Sequence, residues 1–138
     1  MTAVDEHRPG YRGQIAKEIP ALAEIMKENG YTTYMAGKWH LTVDGAWKPK
    51  DSTPNGSYPT QRGFDGYYGS LSGAGNYYSP KAVYRNEEKV TKFSKGYYYT
   101  DAINEHSVEF ILNHEGTSPF FLYVAHYAPH RPLQAPEK

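Results

Sequence analysis

Cysteine is absent from the 138 residues, which excludes disulfides, thiolate metal sites and a cysteine nucleophile within this chain. An excess of charge of either sign is also missing. Fifteen basic side chains balance 15 acidic ones, so no net field recruits nucleic acid or an anionic membrane, and neither is expected as a partner. The longest apolar run, Phe120 to Ala125, falls far below the roughly 20 residues needed to cross a bilayer. The opening MTAVDEHRPGYRGQ has no apolar stretch after a basic start, so any export signal is expected upstream. No internal repeat or low-complexity tract is present.

What the chain has in quantity is tyrosine, 14 residues, beside 13 glycines and 10 prolines. That mixture predicts loop-rich structure with amphipathic rings near a surface or cleft, and the wealth of aromatics argues against disorder. The length suits one domain or a piece of one.

Residues 1–18 show no sustained period and read as an arm, with Asp5, Glu6 and His7 solvated on it. From Pro20 the pattern turns helical: Leu22, Ile25, Met26 and Asn29 recur at helical spacing, Pro20 suits the first turn and Gly30 a left-handed cap. Tyr31 to Ala36 then reads as a strand delivering Gly37, Lys38, Trp39 and His40. Residues 42–95 form a long excursion with a short hairpin near Ala82 to Phe93; a loop of that length is functional or disordered, and its tyrosines favour order. Thr100 can cap a second helix carrying Ala102, Ile103, Ser107, Phe110 and Ile111 as far as Gly116, and Phe120 to Ala125 follows as a buried strand. The order predicts an α/β layered fold with parallel strands, both ending in histidine-bearing loops where ligands of open α/β sheets bind.

Lys38 and His40 are two apart, so in an extended segment they share a side, with Trp39 pointing into the core and Gly37 admitting a ligand close to the backbone. An ammonium beside an imidazole suits an anionic group with a proton to move. The spacing alone is a weak signal and favours a surface lysine and a satisfied histidine at a strand end. His130 stands between Pro129 and Arg131-Pro132, whose restricted torsions fix its loop. His126 lies four residues earlier, but Pro129 disfavours a helix there and no carboxylate completes a zinc site. Arg62 to Asp65 and Gly69 to Tyr78 match no phosphate or dinucleotide loop, and turn and packing roles are expected of them. Asn76, Tyr77 and Tyr78 could line a cleft for a polyhydroxylated ligand. His106 and His114 read as solvated or packing residues, and Ser107 has no partner base.

GYTTYMAGKWHL (Gly30 to Leu41), RGFDGYYG (Arg62 to Gly69) and PFFLYVAHYAPHRPLQAPEK (Pro119 to Lys138) resemble, in order and spacing, three segments of the arylsulfatase-type sulfatases of the alkaline phosphatase superfamily. The resemblance spans nearly the whole chain, and the combination of GKWHL with APHxPLxAP is its specific part. It implies hydrolysis of sulfate esters, of a small molecule or a carbohydrate, by a formylglycine made from cysteine or serine beside a calcium ion held by Asp and Asn. It implies three catalytic residues: Lys38 contacting sulfate and formylglycine, His40 assisting the formylglycine hydroxyl, and His130 acting as general acid on the ester oxygen. Lys38, His130 and Asn76 are the expected substrate contacts. A periplasmic, secreted or lysosomal location is also implied.

The chain lacks the family's Cys/Ser-x-Pro-x-Arg segment, its early paired aspartates and its later Asp-Asn ligands, so no metal ligand and no modification site is expected here. Residues 1–138 are therefore expected to form a single partial catalytic domain, an internal fragment of a longer sulfatase with a partial sulfatase-like sheet, inactive alone. Within it, 1–18 is the arm, 19–41 the helix, strand and GKWHL segment, 42–95 the excursion, and 96–138 the helix, strand and APHRP segment. Two alternatives remain open: a non-catalytic carbohydrate- or sulfate-binding module, and a phosphatase or phosphonate hydrolase of the same superfamily.

Overall fold

A computed structural model describes residues 14–42 and 56–137, together with the backbone of residues 5–8 and 11–12. The side chains of Asp5, Glu6 and His7, and residues 43–55 of the excursion, lie outside the described residues. The arm is more than a loop: strands β1 (Asp5–Arg8) and β2 (Tyr11–Arg12) pair antiparallel.

Helix α1 spans Leu22–Glu28 and is capped by Ala21, whose N–H donates to Glu24 Oε2 at 2.6 Å. Pro20 therefore precedes the helix rather than opening it. Gly30 takes φ +85°, the left-handed turn predicted for it, and the chain enters strand β3 (Thr32–Gly37). The apolar stripe of α1 is real but faces outward. Leu22 is 59% exposed, and Ala23 is the residue that packs against the sheet.

The excursion contains a strand that its composition hid, β4 (Gly66–Ser70), after a short 3-10 turn at Pro59–Arg62. β4 pairs parallel with β3, Tyr34 opposite Gly66 and Ala36 opposite Tyr68. The predicted hairpin is present as β5 (Val83–Arg85) and β6 (Glu88–Lys89), turning at Asn86 with φ +53°. Helix α2 runs Tyr99–Leu112 from a Tyr98 cap, so Thr100 sits inside the first turn and its buried hydroxyl has no hydrogen-bond partner among the described residues. Strand β7 (Phe120–Ala125) pairs parallel with β3 along its whole length, from Thr32 opposite Phe120 to Gly37 opposite Ala125. The sheet order is β6-β5-β4-β3-β7. β7 is an edge here and is half exposed, not the buried strand its apolar run suggests. No helix among the described residues is long and apolar enough to cross a membrane.

Consecutive strand residues feed opposite faces of the sheet, as the two-residue period requires. Met35, Tyr67 and Trp39 join the core beside α1, while Ala36, Tyr68, Tyr99 and Ile103 join the core under α2. Tyrosine, expected near the surface, builds much of both cores. Its hydroxyls are satisfied internally: Tyr99 Oη accepts from the Ser70 N–H at 2.7 Å, and Tyr68 and Tyr97 hydroxyls pair at 2.9 Å. Arg62, 2% exposed, pairs with Glu24 and donates to the carbonyls of Ala16 and Ile19, stapling the arm to α1. Asp65 accepts from Lys27 and from the N–H and hydroxyl of Thr33, joining β4 to α1 and β3.

Candidate active site

Strands β3, β4 and β7 run parallel, so their carboxyl ends open on one edge of the sheet. Three loops meet there, after Gly37, after Ser70 and after Ala125. Two backbone bonds splice them together: Lys38 N–H donates to Ala125 O at 2.7 Å, and Trp39 N–H donates to Ser70 O at 2.9 Å.

Lys38 and His40 are both half-buried on the first loop. Between them the Trp39 indole is buried, as expected, with Nε1 donating to Ser57 O at 2.7 Å and its ring edge-on to Phe64. The alternation argument for Lys38 and His40 does not hold, because β3 ends at Gly37 and His40 takes φ +59°. A non-glycine residue held left-handed costs about 1 kcal/mol and persists only where its surroundings over-determine it. Gly37 does not make room for a ligand. At φ +118°, a side chain there would overlap the Ala125 carbonyl, and one at Gly69 would overlap the Gly37 carbonyl, so the two glycines let three strands close up.

His130 is exposed on the third loop. Its N–H donates to Tyr127 O and its carbonyl accepts from Tyr77 Oη, both at 2.8 Å, so its backbone is tied on both sides. The peptide bonds preceding Pro129 and Pro132 are both cis. Its Nδ1 lies 2.7 Å from the Arg131 carbonyl, an acceptor only. Nδ1 therefore carries a proton, and Nε2 is left for exchange with a ligand.

Asn76 is exposed on the second loop, where its side-chain oxygen accepts from the N–H groups of Tyr78 and Ser79 and closes its own turn. His126 is exposed, and no group of three His, Cys, Asp or Glu side chains among the described residues could hold a metal. His106 and His114 pack. Burial pushes His106 below the usual imidazole range, against the upward pull of Glu109, and its ring stacks on Tyr68. His114 donates from Nε2 to Ser118 O and accepts from Tyr34 Oη. Ser107 donates to Ile103 O within α2.

Residues of the second loop that sequence patterns left as turns prove to be the ones that touch the other two. Ser70 is fully buried; its N–H donates to Tyr99 Oη, its carbonyl accepts from Trp39, and its hydroxyl accepts from Tyr127 Oη at 2.6 Å and donates to Lys81 O. Burial raises the Tyr77 and Tyr127 hydroxyls above their ordinary 10.0, so both remain protonated donors. The signal in the sequence was the glycine spacing of GSLSGAGNYY, which marks close backbone approach as well as turns.

The family's calcium and formylglycine do not fit the described residues. Asp65 is committed to Lys27 and Thr33 at the opposite end of β4, no group of three His, Cys, Asp or Glu among the described residues could hold a metal, and no Cys/Ser-x-Pro-x-Arg segment is present for a formylglycine.

Residues 1–138 match the sulfatase family throughout. Arylsulfatase J of Mus musculus is 37% identical over 94% of this chain and 22% of its own length. The arylsulfatase of Klebsiella aerogenes is 28% identical over 95% of this chain and 28% of its own. Among solved structures, Ps i-CgsB in complex with k-i-k-neocarrahexaose superposes with a TM-score of 0.65 at 30% identity, covering 83% of this chain and 27% of that one. BT4656 in complex with its substrate D-glucosamine-2-N,6-O-disulfate superposes with a TM-score of 0.63 at 26% identity, covering 95% of this chain and 24% of that one. The chain thus spans about a quarter of the length of these relatives. The match from end to end, with the mixed α/β sheet shared with these structures, places the chain in the sulfatase family.

Proposed function

We propose that this chain supplies the sulfate-binding and leaving-group side of a sulfatase active site, with the nucleophile and metal ligands contributed by polypeptide outside residues 1–138. The observation that carries it is the splice between β3 and β7. Lys38 N–H bonds the last residue of β7, so the GKWHL segment and the loop bearing His130 leave the sheet side by side.

Lys38 would hold sulfate oxygens with its ammonium, and His40 would add a donor from its constrained position. As the nucleophile supplied from outside residues 1–138 would bond to sulfur, the S–O ester bond would break with its electron pair on oxygen, and His130 would pass the proton on Nε2 to that oxygen, releasing a neutral alcohol. The division of labour is supported by the share of the relatives' length that the chain covers, and by the apolar surface beside α1. Ile15, Leu22, Trp39, Phe64, Phe121 and Tyr123 line an apolar cleft of about 310 Å³ there, a surface of the kind that larger proteins cover. A sulfated sugar is the favoured substrate class. Two relatives of known structure were solved with a neocarrahexaose and a glucosamine disulfate, and Asn76 and Tyr78 stand exposed on the loop adjoining His130.

The test is titration of the chain with inorganic sulfate, followed through the imidazole signals of His40 and His130. Both are expected to shift, and Lys38→Ala is expected to abolish both responses. Hydrolysis of an activated aryl sulfate by the chain alone with added calcium, lost in Lys38→Ala, would overturn the proposed division.

A further inference from the structure

We infer that residues 70–77, between β4 and the Tyr77 ring, form the positioning element of this site: Gly73 seats the His40 imidazole and Tyr77 aims His130. The inference deepens the sulfatase reading and rests on it. Neither residue is placed to touch the substrate; each acts through a histidine.

Gly73 is buried against the His40 ring. A Cβ built on it would overlap three atoms of that ring, so the imidazole lies in the space a side chain would fill. The backbone at Gly73 is not left-handed, so alanine is unwelcome there for the sake of His40 and not for its torsions. Two residues from His40's φ +59°, the Lys38 N–H is fixed to β7; one residue away, the Trp39 N–H is fixed to Ser70. The backbone leading into His40 is thus held by β7 and by the end of β4, and its ring by Gly73 in the segment after β4.

Tyr77, 2% exposed, spends every polar group on the third loop or on α2. Its N–H donates to Gln134 Oε1 at 2.8 Å, its carbonyl accepts from the Tyr99 N–H at 2.7 Å, and its hydroxyl donates to His130 O. Tyr98 Oη donates to Gln134 O at 2.9 Å, and Tyr127 sends its hydroxyl back to Ser70 and Ser72 O. The segment and the His130 loop are therefore laced by four hydrogen bonds, those of Tyr77 N, Tyr77 Oη and the two of Tyr127 Oη, and Tyr98 Oη at the α2 cap adds a further bond to the same loop. The backbone around His130 is held in this lacing while its imidazole stays exposed.

The two halves are separable. Tyr77→Phe removes one hydroxyl and keeps the ring. Hydrogen exchange at the His130 amide is expected to rise about tenfold, the equivalent of one lost hydrogen bond, and the response of the His130 imidazole to inorganic sulfate to weaken, with the His40 response unchanged. Gly73→Ala is expected to do the reverse, displacing the His40 signal and its sulfate response and leaving His130 alone. It should also lower the melting temperature, and Gly73→Ala combined with His40→Ala should recover most of that loss, because the clashing ring is gone. Equal disturbance of both histidines by either variant, or no recovery in the double variant, would overturn the inference. A parent chain whose imidazoles ignore sulfate overturns the functional reading instead; the exchange and melting results still decide whether Gly73 and Tyr77 position these histidines.

Discussion

Strands β4 and β7 flank β3 as parallel neighbours of similar length, and their burial runs opposite to their composition. GYYGS, with two glycines and a serine, is buried at all five positions. FFLYVA, the most apolar run in the sequence, leaves Phe120, Tyr123 and Val124 at least 40% exposed. The cause is what lies on each side. β4 is paired on both edges, α2 covers one face, and Tyr58, Phe64 and Trp39 cover the other. β7 is paired on one edge only among the described strands, and Phe121 and Tyr123 on one of its faces line an apolar cleft that nothing among the described residues fills. Burial belongs to the position in the sheet, and hydrophobicity records the burial a strand is built to receive.

The sharpest way to break this contrast is Gly69→Ala on β4. The new methyl would meet the Gly37 backbone, which is itself pinned to β7 and cannot yield, so a loss of about 3 kcal/mol or more is expected in denaturant unfolding. A loss under about 1 kcal/mol would mean that β3 and β4 are less tightly paired than described.

Acid should loosen the β4 side next. For Asp65, burial raises the carboxyl pKa but is outweighed by the Lys27 and Thr33 bonds; for Glu24, the Arg62 hydrogen bond is the largest cause; both end below their ordinary 3.8 and 4.5. A depressed folded value means the unfolded chain takes protons first, so the stability from these carboxylates is complete above those ordinary values. It is lost as pH falls through them toward the folded values. Thermal melts over that range should show the decline, and Asp65→Asn with Glu24→Gln should flatten it while lowering stability at neutral pH. An undiminished pH slope in that double variant would remove these two residues as its origin.

The smallest effect is expected on β7. Tyr123→Thr and Val124→Thr should each change stability by about 0.5 kcal/mol or less, since half-exposed side chains give up little burial, while reducing concentration-dependent association in sedimentation. A cost near 2 kcal/mol at either position would show that the edge is covered in solution, and the contrast with β4 would vanish.

Local signals in the sequence were sufficient for α1, β3, the β5-β6 hairpin, α2 and β7, because a helical stripe, a cap glycine, a β-branched run and an apolar run each report on a few adjacent residues. They were also sufficient to single out Lys38, His40 and His130 as candidates. They failed where the cause is non-local. Gly69 read as a turn or packing residue and Gly66 as part of a loop-rich excursion, yet both sit inside a strand, where Tyr34, Phe110 and the Gly37 carbonyl occupy the space their side chains would need. Leu22 looked like a core residue from its spacing, but spacing names a face and not what covers it. The glycine-spaced run that holds Gly73 and Tyr77 marked close approach without naming a partner, since the partners are 53 residues away for the His130 carbonyl and across a strand end for the His40 ring. The sequence alone determined the family, the titratable groups and those elements with a local signal, since these rest on residue identity and short spacing; β1, β2 and β4 carried no such signal. Tertiary structure alone decided which strands are neighbours, and hence that three separate loops share one edge, because that depends on long-range pairing that no local pattern encodes.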